Sequence, residues 1–398
     1  MGKYSLFEGY GIEIEYMIVR KDSLKVAPEA DKLLEKLCGE PVSECFHDGL
    51  GYSNELVKHV IELKTDGPAP GFSGLSDKFH SGVKRVLEKL EPMGLMLMPT
   101  AMHPSMNPET ETHLWQDENR EIYETYDRIF NCKGHGWSNL QSIHINLPFK
   151  DDAEFEKLHA AIRAVLPIIP ALCASSPVVE GKATGLADNR LEFYRGNQRF
   201  VPEVAGRIIP ERVYSEAEYN EQVFDVIAKA IAPHDPEEIL EPVWLNSRGA
   251  IARFDRGAVE IRLMDVQECP LADIAAAKLV SDSVQYLCNY ADMEKLKALD
   301  ENRLRDILLA CIKDAENTTV TDAEYLNIFG ITGSASASDI WKKMCTVTFC
   351  DKGVYAAPIR NIFENGTLAS RIKRDLPKGE ETVYRELCAC IAENRIYV

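Results

Sequence analysis

Residues 10–19 read YGIEIEYMIV. Apolar and acidic residues alternate through the first half of this run, and strict alternation marks a β-strand with two unlike faces. At positions i and i+2 of a strand, Glu13 and Glu15 point to one face, roughly 6.5–7 Å apart. Taken alone, a solvated strand face is the better reading of the pair. Its meaning depends on what other strands bring beside it.

Three further segments repeat the pattern. NELVKHVIELKT (54–65) reads as a strand, with Glu55 near its start and Glu62 between Ile61 and Leu63. QSIHINLPF (141–149) reads as a strand ending at Pro148, with His144 between Ile143 and Ile145. GAVEIRLMDV (257–266) carries Glu260 and Arg262 among Val259, Ile261 and Leu263. A carboxylate between buried neighbours is costly unless it is paired or metal-bound. A lone histidine in such a place is more often a satisfied core residue than a ligand. If the polar faces line one cavity, however, they offer four or five carboxylates and an imidazole.

Hard oxygen donors with one imidazole suit Mg²⁺ or Mn²⁺ rather than zinc or an iron–sulfur cluster. Mg²⁺ usually shares its shell with substrate phosphates, which implies a nucleotide such as ATP. Neither G-x-x-x-x-G-K-[ST] nor G-x-G-x-x-G stands in a strand–turn–helix setting, so metals and arginines would have to meet the phosphates. GLADNRLEFYRGNQRF (185–200) supplies Arg190, Arg195 and Arg199 as candidates for phosphate or substrate carboxylate. An arginine's planar fork suits both.

The totals bound the rest. A formal net charge of −18 argues against a nucleic-acid binder, which would carry a basic face. The 11 cysteines include no C-x-x-C pair and read as reduced thiols of a cytoplasmic protein. Neither a signal peptide nor a membrane span is expected, and a homo-oligomer stays open. Helices are expected over residues 29–38, 73–92, 116–131, 151–174 and 379–394, with mainly helical sequence from 272 to about 317. GLMLMPT after the second of these reads as a buried strand, and 175–214 as a Gly-, Pro- and Arg-rich loop. Amphipathic strands mixed with helices predict an α+β fold with an antiparallel sheet. No boundary divides the chain, so residues 1–398 are expected to form a single catalytic domain. Its sheet core would cover about 8–290 and its mainly helical part about 272–398.

These residues carry a resemblance. GIEIEY (11–16), IELKT (61–65), PTAMHP (99–104), SIHIN (142–146), ALCASSP (171–177), GKATGLADNR (181–190) and AVEIRLMDVQ (258–267) occur in the order of the glutamate–cysteine ligase family of the GCS2 type. That family includes the bacterial carboxylate–amine ligases. The resemblance implies a curved antiparallel funnel with outer helices, like the glutamine synthetase and guanidino kinase catalytic domain. It implies metal ligands at Glu13, Glu15, Glu55, Glu62, His144 and Glu260, with Arg262 on the transferred phosphoryl group. Glu62 and Arg262 would be the catalytic residues, and Asn146 would join the ligand-binding set. The implied reaction is ATP-dependent activation of a carboxylate, that of glutamate first, followed by amide formation with an amine such as cysteine, as in glutathione biosynthesis. Two features depart from the pattern. Ser142-Ile143-His144 stands where many carboxylate–amine ligases have H-x-H, and RLEFYRGNQRF is longer and more basic than expected. Both leave the amine open, so a ligase with another amine or a peptide acceptor stays in view. A non-catalytic nucleotide-binding relative is the remaining alternative.

Overall fold

The computed structural model describes residues 4–350 and 352–398. Eight strands form its main sheet: β1 (Gly11–Arg20), β2 (Glu44–His47), β3 (Leu50–Asn54), β4 (Val60–Thr65), β5 (Leu95–Met98), β6 (Ser142–Pro148), and then β9 (Ala250–Arg253) and β10 (Ala258–Asp265). The short hairpin β7 (Val178–Val179) and β8 (Lys182–Ala183) stands apart from it. The order is β2-β3-β4-β1-β6-β10-β9, with β5 also paired to β1, and every pairing is antiparallel. Helices complete an α+β fold.

The alternation of the sequence becomes the two faces of this sheet. Ile12, Ile14, Tyr16 and Ile18 of β1 are fully buried beside Ile61 and Leu63 of β4, Ile143, Ile145 and Leu147 of β6, and Val259 and Ile261 of β10. The helices Leu75–Leu90, Asp152–Val165 and Pro270–Tyr290 cover this face. The last of them presents Ala272, Ala275, Ala276 and Ala277, small residues that allow close approach. Tyr16 Oη donates to Asp273 Oδ2 at 2.7 Å, tying the central strand to that helix. The opposite face carries Glu13, Glu15, Glu62, Lys64, Ser142, His144, Asn146, Glu260 and Arg262. Beyond Glu15 it turns apolar, and Met17 and Val19 pack with Met98, Leu368, Leu387 and Tyr397 in a second, smaller core.

Some local features differ from the expected elements. The run 54–65 is not one strand: residues 55–59 form the connection between β3 and β4, and His59 turns away to place Nε2 2.8 Å from the Ser138 carbonyl. The register of β10 against β6 shifts between Ile261 and Met264. This bulge puts Leu263 and Met264 in the same core and Asp265 opposite Ser142. The expected helix 151–174 is also broken, into Asp152–Val165, a 3₁₀ turn and Pro170–Cys173, because Pro167 and Pro170 interrupt it.

The cysteine expectation needs correction. Cys38 and Cys45 form a disulfide with Cα atoms 5.9 Å apart. The helix Ala30–Cys38 stops at Gly39, whose φ of 84° is a left-handed conformation that favours glycine. The chain then returns as β2 beside the helix it has just left, so two cysteines seven apart in sequence become neighbours. Cys132, Cys173 and Cys269 are buried and free. Among the described residues no helix is long and apolar enough to cross a membrane.

Candidate metal and phosphoryl-transfer site

Strand register assembles the site. Glu15 stands opposite Glu62, and Glu62 opposite Ser53. One row along, Glu13 lies between Lys64 and His144. In the next, Asn146 stands between Gly11 and Glu260. Neighbouring strands therefore bring their polar residues to one patch. Glu15, Glu62, His144 and Glu260 are buried, and Glu13 is partly so.

His144 is the centre of the patch. Its Nδ1 lies 3.2 Å from Glu13 Oε2 and 3.7 Å from Glu260 Oε1. Its Nε2 lies 2.9 Å from Ser142 Oγ and 3.9 Å from Glu15 Oε1. Ser142 also donates its backbone N–H to Glu15 Oε2 at 2.8 Å. Asn146 Nδ2 donates to Glu13 Oε1 at 3.0 Å, and Ser53 Oγ to Glu62 Oε1 at 2.7 Å. Lys64 Nζ bridges Glu62 at 3.1 Å and Glu44 at 2.5 Å. Arg262 Nε lies 2.8 Å from Glu260 Oε1, an ion pair whose N–H is not aimed as a hydrogen bond.

The charges are unevenly satisfied. Two carboxylates about 5 Å apart repel by about 3 kcal/mol at an effective dielectric near 20. Burial, with the charge of Glu13 beside it, raises the Glu62 carboxyl to about 7. Glu55, half-buried in the connection before β4, is pushed up by burial and by the charges of Glu15 and Glu62. Burial also opposes the ionisation of Glu13, but its bond to His144 and the charges of Lys64 and Arg262 win, and it falls to about 2. The patch thus holds more carboxylate than its own cations neutralise.

The donor set fits a hard divalent cation. Donor atoms of Glu13, His144 and Glu260 lie within 4.8 Å of one another, and so do those of Glu15, Glu62 and His144. A neutral imidazole has one free lone pair, so His144 can ligate through one nitrogen while the other donates to a carboxylate or to Ser142.

The structure treats the candidate arginines differently. Arg262 faces the carboxylates. Arg190 is buried, with Nε 2.5 Å from Asp265 Oδ1 and both Nη groups near the Arg262 carbonyl. It holds β10 in place rather than facing a ligand. Arg195 pairs with Glu192 at the surface, and Arg199 is exposed. Sequence reasoning missed Lys64, Ser53 and Ser142, although Lys64 and Ser142 share the strand parity of residues it chose. It also missed Tyr123 and Tyr126 of the helix Arg120–Phe130, and Tyr194. Burial and the charge of Glu55 raise the Tyr123 hydroxyl to about 12. Tyr126 and Tyr194 both lie within electrostatic reach of Arg262. No local pattern marks aromatic residues that reach a site from a separate helix.

The model of glutamate-cysteine ligase family 2 matches residues 10–389. The chain belongs to this family. A protein of Archaeoglobus fulgidus, named only as uncharacterized, is 32% identical over 392 residues, covering 98% of this chain and 100% of its own length. A glutamate–cysteine ligase of Halobacterium salinarum is 22% identical over 264 residues, 65% of each chain. Among solved structures, the glutamate–cysteine ligase of Francisella tularensis in complex with AMP superposes with a TM-score of 0.61 at 12% identity, covering 98% of this chain and 90% of that one. A bifunctional glutathione synthetase from Pasteurella multocida gives 0.59 at 15% identity, covering 98% of this chain and 53% of its own. Family membership makes this chain a ligase of the glutamate–cysteine ligase type.

Proposed function

We propose that the chain joins the γ-carboxylate of glutamate to an amine at the expense of ATP, through an acyl phosphate, with cysteine the first amine to test. The observation that carries this is the convergence of Glu13, Glu15, Glu62, Glu260 and His144 with Arg262 on one sheet face. The Francisella enzyme, which shares this fold, was solved in complex with AMP, and this supports a nucleotide ligand for the chain. In this reading the sheet is the wall of a funnel, and residues 1–398 act as one catalytic domain, since one apolar core runs from Tyr10 to Ile391.

Phosphoryl transfer requires positioning and charge neutralisation more than a protein nucleophile. Glu13, Glu15, Glu62, His144 and Glu260, with Glu55 beside them, would hold Mg²⁺ or Mn²⁺. When bound, the cation supplies charge neutralisation to the ATP phosphates. Arg262, oriented by Glu260 from one side and by the Arg190 contact to its carbonyl from the other, stabilises charge on the transferred group. Asn146 and Ser142 fix the carboxylates of Glu13 and Glu15. Tyr123, whose hydroxyl accepts from Asn54 Nδ2 at 3.2 Å and lies within electrostatic reach of Glu55, would help to exclude water beside these carboxylates.

The test is turnover by the purified chain with MgCl₂, ATP, glutamate and a panel of amines, with products identified by mass spectrometry. A γ-glutamyl amide formed with ADP and phosphate supports the reading. Phosphate release without any amide across the panel overturns the glutamate–amine assignment.

A further inference from the structure

In a chain of net charge −18, a local surplus of cations stands out. One lies beyond the helix Asn189–Tyr194, around a cavity of about 150 Å³ walled by Arg195, Arg207 and Arg305 with Ile208 and Leu308. None of the carboxylates of the sheet face lines it.

Two of its three arginines, Arg207 and Arg305, are poorly neutralised. Arg305 is half-buried, and its side chain makes no hydrogen bond or ion pair among the described residues. Among the described residues the Arg207 side chain reaches only Glu301, at 3.4 Å, and that carboxylate also serves Arg212 at 3.1 Å and Arg163 at 3.7 Å. Arg195 pairs with Glu192. The backbone that carries Arg207 is unusual. Gly206 has φ 53° and Ile208 φ 69°. A β-branched residue in the left-handed region is strained, and such strain persists only where surrounding structure holds it. Here Gly249 N–H donates to the Ile208 carbonyl at 2.7 Å. A Cβ at Gly206 would stand 3.0 Å from Arg248 Nη2 and from Glu211 Oε1, so the turn needs glycine.

We propose that this cavity binds a phosphate-class oxyanion, free or as the phosphate group of a small molecule, through Arg195, Arg207 and Arg305. Three guanidinium forks suit a compact tetrahedral anion, and the apolar floor of Ile208 and Leu308 leaves the arginines to supply its contacts. The proposal does not depend on the ligase reading. An anion here would draw Arg195 from Glu192, at the end of the helix whose Arg190 supports Arg262.

The test is calorimetric titration of the full chain with inorganic phosphate in EDTA, so that no metal bridges phosphate to the sheet carboxylates, with glycerol phosphate as a second arm. Saturable binding is expected in the unaltered chain and in R262Q, weakened by about tenfold or more in R305Q and R207Q. Binding of both probes supports a phosphate group of a small molecule, and binding of inorganic phosphate alone supports the free ion. R305K should retain most of the affinity. Absence of saturable binding, or R305Q and R207Q binding like the unaltered chain, or loss in R262Q instead, overturns the proposal. Melting curves check the fold, and R207Q, at an exposed position, carries the test if R305Q does not fold.

Discussion

Arg262 has the clearest single-residue consequence. Its charge faces the carboxylate patch while its backbone N–H donates to the Gly249 carbonyl at 2.9 Å, so shortening the side chain leaves the strand intact. Arg262→Ala is expected to lower kcat by roughly 10²–10³, the effect of losing one preorganised donor, and to lower the melting temperature of the metal-free chain, because buried Glu260 loses its ion-pair partner. Glu62 sets a pH dependence. Its carboxyl is raised to about 7 in the folded, metal-free chain, above its ordinary value. The folded state therefore binds the proton more tightly than the unfolded chain, and Glu62 makes the metal-free fold less stable as pH rises from the ordinary carboxylate range to about 7. A cation competes with that proton. Manganese affinity, measured by calorimetry, should rise as pH passes through about 7 with release of a proton, and Glu62→Gln should flatten the profile. Glu62 and His144 were legible in the sequence because polar residues between apolar neighbours stand out. Lys64 was not, because a lysine two residues after a glutamate in a strand looks like an ordinary surface pair.

At the scale of elements, alternation identified β1, β4, β6 and β10, since a strand between a core and a polar cavity must alternate. It failed at β3, where Gly51 and Ser53 blunt the contrast between the two faces of LGYSN, and at 55–59, where an alternating run leaves the sheet. The adjacent apolar residues Leu263 and Met264 are the trace of the β10 bulge, which keeps both in the core between Arg262 and Asp265. Two contacts between elements can be tested. Tyr16→Phe removes the bond to Asp273, whose other oxygen still accepts the Gln267 N–H at 2.6 Å. The expected cost is about 1–3 kcal/mol in urea unfolding, with little loss of activity. Cys45→Ser opens the short loop that the disulfide closes and should cost about 2 kcal/mol, matched by adding reductant to the unaltered chain.

At the scale of the whole molecule, the C-terminal helix Glu380–Glu393 completes the sheet face on which the site lies. Leu387 is fully buried against the group that contains Met17 and Val19, which continue the strand from Glu13 and Glu15. Leu387→Ala is expected to cost about 2–5 kcal/mol, read as a lower midpoint of chemical unfolding. The pattern of residues 379–394 marked a helix but carried no sign of what it covers, because its partners on β1 lie at the other end of the chain. The central claim concerns the whole face: that it activates a carboxylate by phosphorylation. The most direct measurement uses glutamate labelled with ¹⁸O in its γ-carboxylate, with ATP, Mg²⁺ and the accepted amine, and the released phosphate analysed by mass. An acyl phosphate predicts transfer of one labelled oxygen to phosphate for each amide formed. Phosphate released without label would contradict it.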